Sequence, residues 1–226
     1  MNTSTHVPKT LTTDASLGPA VLQIFLKAPR RGTVKTRLAK EAGVNVATAI
    51  YTELVASQLS RLPQALQTEV HFHPVGAAAE MQQWLGSKYS FHPQVAGDLG
   101  LKLEYAVQSA FTARAATSVI CIGGDCPGLD NTHIEATLNA LATGHDVVFG
   151  PTEDGGYYLI GLKQAQPELF REIPWSDVNT LKASLSKATK MGLNVQLLET
   201  LYDIDELKDL QRARDEGLLP DSAQLG

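Results

Sequence analysis

Short apolar runs of strand length alternate with amphipathic stretches of helix length along almost the whole chain. No other feature constrains the fold as much. Strands are predicted over residues 21–27, 68–73, 118–122, 146–149, 157–162 and 195–201. Helices are predicted over 36–41, 46–62, 77–85, 98–114, 131–141, 179–191 and 206–216. The 46–62 stretch shows the helical period most clearly, with Val46, Ile50, Leu54, Val55, Leu59 and Leu62 as its apolar positions. This alternation predicts an α/β fold, a mostly parallel sheet with helices on both faces. In such sheets ligands bind beyond the carboxyl ends of the strands. The segments to inspect are therefore 28–35, 123–128, 150–156 and 202–206.

Composition narrows the class. A chain of 226 residues buries roughly 70% of the surface its unfolded form exposes, so it needs no staples. A hydrophobic fraction of 43% and a net charge of −5 exclude disorder as the global state. Two cysteines exclude a disulfide-dense scaffold and fit a reducing compartment. No stretch approaches the ~18 apolar residues that a membrane span requires. Residues 1–20 lack the apolar centre of a secretory signal and are expected to form a disordered tail. A single domain is expected over 21–226, in a cytoplasmic protein whose oligomeric state stays open.

Charge is unevenly placed. Lys27, Arg30, Arg31, Lys35, Arg37 and Lys40 fall within 14 residues without one acid among them, on a chain that is acidic overall. A nucleic-acid surface would be broadly basic. One basic segment on an acidic protein instead predicts a local anion site, the alternative being a solvated charged turn. Gly32 permits a tight turn, and Lys35 and Arg37 follow where a helix would begin. Free amides, helix dipole and two cations would converge there, an arrangement that suits phosphate. The loop is neither a Walker A motif nor GxGxxG.

Acids occupy the other strand ends. Asp125 directly follows the strand 118–122 in Gly123-Gly124-Asp125-Cys126-Pro127-Gly128. It is a candidate ligand for Mg²⁺ or Mn²⁺, ions that take carboxylate and phosphate oxygens together, or else an ordinary turn residue. Glu153-Asp154-Gly155-Gly156 reads as a hairpin turn, or as an acid near the transferred group with Gly155 and Gly156 allowing close approach. Asp203 and Asp205 share a face if their segment is extended, although Asp205 would also serve as a helix N-cap. Trp175 is read as either core or acceptor-pocket lining. His71 and His73 alone do not make a zinc site, and Cys126 lacks a paired histidine for nucleophilic chemistry.

Taken in order, KAPRRGTVKTRL, AGDLG, IGGDCPGL, GPTEDGGYYLIGL, PWS and LYDIDELKDL resemble a bacterial family of glycosyltransferase-like proteins connected with arsenosugar biosynthesis. The molybdenum-cofactor and 2-phospholactate guanylyltransferases are more distantly similar. The likeness covers roughly residues 21–212. It implies a Rossmann-like, glycosyltransferase-A type three-layer sandwich, a nucleotide substrate and a divalent metal. It also implies phosphate contacts from Gly32, Lys35 and Arg37, with Lys27 at the start of the loop. Asp98 and Gly100 would lie near base or ribose. Asp125 would hold metal with Asp205 and Asp203. Asp154, Gly155 and Gly156 would meet the transferred group, with Trp175 beside the acceptor. Where that family shows an acid, Arg and Met after GDLG, this chain has Leu101-Lys102-Leu103. In the late motif Glu206-Leu207 replaces Thr-Pro.

Three functions follow as expectations. The first is a metal-dependent glycosyltransferase using a nucleotide-diphospho-sugar and a small-molecule acceptor, with Asp125, Asp154 and Lys35 as catalytic groups. The second is a nucleotidyltransferase that joins a nucleoside triphosphate to a phosphorylated small molecule, and pyrophosphate release would mark it. The third is a non-catalytic nucleotide-binding module, which would bind without turnover.

Overall fold

In the computed structural model, residues 19–220 are described. The expected tail therefore falls, apart from Pro19 and Ala20, outside the described residues, and Ala20 already belongs to the first strand.

Among the described residues, seven strands form one sheet: β1 (Ala20–Lys27), β2 (Gln67–His73), β3 (Ser90–Pro93), β4 (Ser118–Ile122), β5 (Val147–Pro151), β6 (Tyr157–Leu162) and β7 (Val195–Leu197). Their order is β3-β2-β1-β4-β6-β5-β7. β1 pairs in parallel with both β2 and β4, β2 with β3, and β5 with β7. Only β6 runs the other way, antiparallel to β4 and β5. The chain moves outward from β1 in opposite directions to reach β2 and β4. The crevice beyond Lys27 and Ile122 is thus the switch point of the sheet, where α/β proteins place ligands.

Among the described residues, seven α-helices pack around the sheet: α1 (Thr36–Ala42), α2 (Val44–Arg61), α3 (Ala78–Leu85), α4 (Leu99–Ala113), α5 (Asn131–Ala142), α6 (Thr180–Lys190) and α7 (Leu207–Asp215). On one face α2, α3 and α5 bury Tyr51, Val55, Met81 and Ile134 against Leu22, Ile24, Phe72 and Ile120. On the other, α4 and α6 bury Leu103, Val107 and Ala188 against Val119, Phe149 and Ile160. A third cluster joins α1, α2 and α7 through Leu38, Ile50, Leu54, Ile204 and Leu210. Helices on both faces make the three layers expected from the alternation of elements.

Two differences from the predicted elements have physical causes. β3 was not anticipated, because only Phe91 in Ser-Phe-His-Pro is a large apolar residue and none of its four positions is fully buried. The strand predicted at 195–201 ends at Leu197, with only an isolated parallel bridge from Leu201 to Thr152 beyond it. That bridge nevertheless carries the chain along the end of β5 toward Asp203.

Candidate active site

Lys35 is the centre of the cleft. It precedes α1 with φ 46° and ψ 50°, the left-handed region, which costs a residue other than glycine about 1–2 kcal/mol. Its side chain is only 3% exposed, and Nζ lies 2.5 Å from Asp125 Oδ1 and 3.8 Å from Asp205 Oδ1. Arg37, on the first turn of α1, donates from Nη1 to Asp205 Oδ2 at 2.9 Å. Because α1 spans only seven residues, any affinity of this loop for an anion would rest on these side chains more than on a helix dipole. Gly32 lies in the exposed turn ahead of them, and Lys27 closes β1 at the rim of the same cleft.

Asp125 leaves β4 at the switch point. Gln58 Nε2 donates to the Gly123 carbonyl at 2.7 Å, and Arg61 Nη2 to that of Pro127, so α2 fixes the loop on both sides of Asp125. The Ile204 amide donates to the Asp125 carbonyl at 3.0 Å. Ile204 is fully buried, and its neighbours Asp203 and Asp205 come to the site on either side of it. One backbone hydrogen bond thus brings the late acidic segment to the β4 end. Asp205 is not the α7 cap: Glu206 takes that position and shares a capping box with Asp209.

Gathering acids has an electrostatic effect. The Asp203 pKa is raised to about 7, first by burial and then by Asp125, with Asp154 and Asp205 adding and Lys35 opposing. Carboxylates crowded in this way favour a cation among them. The Lys35 ammonium stands in for one, and hard carboxylate oxygens suit Mg²⁺ or Mn²⁺. The donor set therefore fits such an ion in kind. Among the described residues, however, no three His, Cys, Asp or Glu side chains are gathered to hold it unaided. Further oxygens would come from water or from a bound ligand.

Two lobes meet at Asp125 and Asp205. One, of about 460 Å³, is lined by Lys27, Lys35, Arg37 and Lys102, with Tyr51 and Gln94 among its other walls. The second, of about 440 Å³, is lined by Asp154, Asp177, Asp203, Thr152, Tyr157 and Trp175, and its only basic side chain is Arg37. Leu99 borders both lobes. Tyr157 and Trp175 meet edge-on, their ring centroids 6.2 Å apart. Burial, and secondarily Asp125, push the Tyr51 hydroxyl pKa well up, and that hydroxyl holds the Lys27 backbone at 3.0 Å.

Several candidates also have local duties. Asp98 caps α4, accepting from the Leu101 amide at 2.9 Å. Gly100 is buried, and a Cβ there would lie 2.5 Å from Trp175 Nε1 and 2.4 Å from the Phe170 carbonyl, so its place is helix-to-loop packing. Asp154 Oδ1 accepts from Thr152 Oγ1 at 2.5 Å and from the Gly156 amide at 3.0 Å, shaping the hairpin turn while its residue lines the second lobe. Gly155 turns with φ +89° against the 176–180 loop. Cys126 is buried and its thiol pKa is pushed up to about 12, by burial first and Asp203 next, which leaves it inert. His71 is buried against Phe25 and His92, whereas His73 is exposed, so the pair shares no site. Tyr51, Gln94, Leu99 and Thr152 were not singled out in sequence. Leu99 and Thr152 fall inside the AGDLG and GPTEDGG motifs without standing out there, whereas Tyr51 and Gln94 are delivered to the cleft by α2 and the segment after β3, and no local motif marks them.

The comparisons with known proteins agree with this architecture. No curated protein matches the chain. A protein of Desulfovibrio desulfuricans G20, which carries the provisional name nucleotide-diphospho-sugar transferase, is 29% identical over 90% of this chain and 89% of its own, with a TM-score of 0.83. The 4-diphosphocytidyl-2C-methyl-D-erythritol synthase of Anaerococcus prevotii DSM 20548 is 11% identical over 88% of this chain and 98% of its own, with a TM-score of 0.57. The inositol-1-phosphate CTP transferase of T. maritima is 12% identical over 89% and 96%, with a TM-score of 0.51. Two of these neighbours are transferases by name and the third is a synthase, and the likeness places the chain in the α/β fold that nucleotidyltransferases and glycosyltransferase-A type proteins share. The family described as "Uncharacterized protein conserved in bacteria (DUF2064)" matches residues 57–177. That match runs from within α2, across the Asp125 loop and the hairpin turn, to the loop bearing Trp175, and it covers more than half of the sequence: the chain belongs to this bacterial family.

Proposed function

We propose that the protein is a glycosyltransferase that takes its sugar from a nucleotide-diphospho-sugar, within one domain over residues 21–226. The observation that carries this reading is the division of charge in the cleft. Lys27, Lys35, Arg37 and Lys102 line one lobe, whereas Asp154, Asp177 and Asp203 line the other. A diphosphate belongs with the cations, because Arg grips phosphate oxygens in a fork and Lys supplies a point charge. An uncharged, hydroxyl-bearing group belongs with the acids, which accept its hydrogen bonds, and with the Tyr157 and Trp175 rings, which cover its apolar faces.

In the reaction an acceptor hydroxyl attacks the anomeric carbon. The bond from that carbon to the diphosphate oxygen breaks, and the diphosphate keeps the electron pair. Lys35 and Arg37 stabilise the charge that builds on this leaving group. Asp154 accepts the acceptor's proton or orients the sugar. Gly155 and Gly156 let the turn approach it. A Mg²⁺ or Mn²⁺ held by Asp125 with Asp203 or Asp205 would supply further neutralisation of the diphosphate.

The second reading, nucleotidyl transfer to a phosphorylated molecule, uses the same basic lobe. It also needs an anion site for the acceptor, and the acidic lobe offers only Arg37, already paired with Asp205.

The test is an assay with Mn²⁺ over panels of nucleotide-sugars and nucleoside triphosphates, with acceptors from arsenosugar biosynthesis included. Release of a nucleoside diphosphate from one nucleotide-sugar, lost in Asp125→Asn, supports the proposal. Pyrophosphate release from a triphosphate overturns it in favour of nucleotidyl transfer. Binding without turnover of any substrate would make the protein a binding module.

A further inference from the structure

The cations and carboxylates of this cleft are paired with each other in a way that bears on the order in which ligands bind. Lys35 is nearly sealed, at 3% side-chain exposure, and its ammonium lies 2.5 Å from Asp125 and 3.8 Å from Asp205. Arg37 lies 2.9 Å from the other oxygen of Asp205. The two side chains best suited to phosphate are thus parked on two carboxylates suited to a metal. Lys35 also holds a left-handed backbone, with φ 46°, one residue before α1. That conformation is unfavourable for a lysine and persists only where its surroundings hold it. No three ligating side chains among the described residues are gathered for an ion, so a divalent cation without nucleotide would find few protein oxygens and a positive charge already among them.

We infer that Lys35 acts as a tethered surrogate cation, closing the Asp125–Asp205 position to divalent metal until a nucleotide diphosphate draws its ammonium away. This rests on the diphosphate reading given above and adds to it a binding order and a second task for one residue. When the diphosphate arrives, Lys35 and Arg37 exchange carboxylate partners for phosphate oxygens. Asp125 and Asp205 are released as the phosphates supply the missing oxygens. No covalent bond changes, and each charge swaps one partner for another. Because binding linkage is reciprocal, the metal strengthens nucleotide binding by the same factor as the nucleotide strengthens metal binding. Removing the ammonium should therefore shrink this coupling in both directions, by letting the metal bind alone.

The experiment measures Mn²⁺ binding without nucleotide, by the free-ion electron paramagnetic resonance signal, for the wild type, Lys35→Met and Lys35→Arg. Circular dichroism and melting check that each is folded. Lys35→Met should bind Mn²⁺ at least tenfold more tightly than the wild type, while Lys35→Arg, which keeps a cation, should stay within about twofold. Equal affinity in Lys35→Met and the wild type overturns the inference. If Lys35→Met does not fold, the wild type itself serves. Limited acylation with acetic anhydride, mapped by mass spectrometry, should label Lys35 slowly in the free protein and equally slowly with Mn²⁺ alone, because the ion without nucleotide does not displace it. Labelling that becomes at least fivefold faster on adding Mn²⁺ without nucleotide overturns the inference. A parallel melting series with Mn²⁺ plus ADP, CDP, GDP or UDP separates this failure from a wider one. Stabilisation of the wild type by one diphosphate leaves the functional reading standing even if Lys35 proves passive. No stabilisation by any of the four removes both.

Discussion

Gly155 lies so close to Val178 that a Cβ on it would sit 2.1 Å from the Val178 carbonyl oxygen. The Leu181 amide donates to the Gly155 carbonyl at 2.9 Å, so the contact is backbone against backbone. Gly155→Ala must push the 176–180 loop aside and adopt φ +89° as well. The expected cost is at least ~2 kcal/mol of stability, together with weakened use of the acceptor. Denaturant unfolding and acceptor KM, measured on the same preparation, check this. An unchanged KM and midpoint would show that the loop adapts freely.

Asp125 is predicted to matter for turnover more than for folding, since its side chain is half exposed. Asp125→Asn should lower nucleoside diphosphate release by about 10²–10³-fold with the circular dichroism spectrum retained. EDTA should abolish the wild-type rate, and Mn²⁺ should restore it. A metal-independent wild type would detach Asp125 from any ion.

Asp203 gives a pH signature in the metal-free protein. Its folded pKa is about 7, against about 3.9 for an unfolded aspartate. The folded state therefore binds this proton more tightly, and stability is lost as pH rises from about 4 through 7. Asp203→Asn removes that loss. Its melting temperature should exceed that of the wild type at pH 8, by an amount worth about 2–4 kcal/mol, and the gap should close by pH 4. A gap independent of pH would contradict the assignment.

Glu69 carries the opposite sign. It is fully buried between Gln23, His71 and Arg114. Burial alone would raise its pKa, but hydrogen bonds from His71 and Gln23 and the Arg114 charge outweigh that and hold it below the usual carboxylate range. The stability this supplies is present above the unfolded pKa of about 4.3 and is lost as pH falls through the folded value. Arg114→Met, which strands the carboxylate, should cost about 3–5 kcal/mol at pH 7 and much less near pH 3. Urea unfolding at the two pH values measures the difference.

Most of the framework was legible because its signals are local. The runs Ser-Val-Ile-Cys-Ile and Tyr-Tyr-Leu-Ile-Gly-Leu became β4 and β6 at their predicted limits, and Asp154-Gly155 marked the hairpin between β5 and β6. The strand-end rule led to Lys35, Asp125, Asp154, Asp203 and Asp205, which the fold gathers around one cleft. What stayed hidden depends on packing between distant segments. Tyr51 lies within the long helix predicted over 46–62 but outside its apolar period, and only α2 lying under the β1 end brings its hydroxyl to Lys27. The burial of Lys35 was equally invisible, because a lysine in a basic loop reads as solvated until Asp125 and Asp205 close on it.

The reversed strand β6 has a further consequence. Because it returns directly from β5, the acidic lobe takes Thr152, Asp154 and Gly156 from a hairpin turn and not from a strand-to-helix crossover. A turn can change length or composition without disturbing a helix beneath it. The basic lobe has no such freedom, because α1 and α2 are locked to α7 through Leu38, Leu54 and Leu210. Under the proposed function, acceptor choice can therefore diversify within this architecture while the grip on the nucleotide stays constant. The Gly155–Val178 contact adds one restriction: the two loops that would shape acceptor choice must change together.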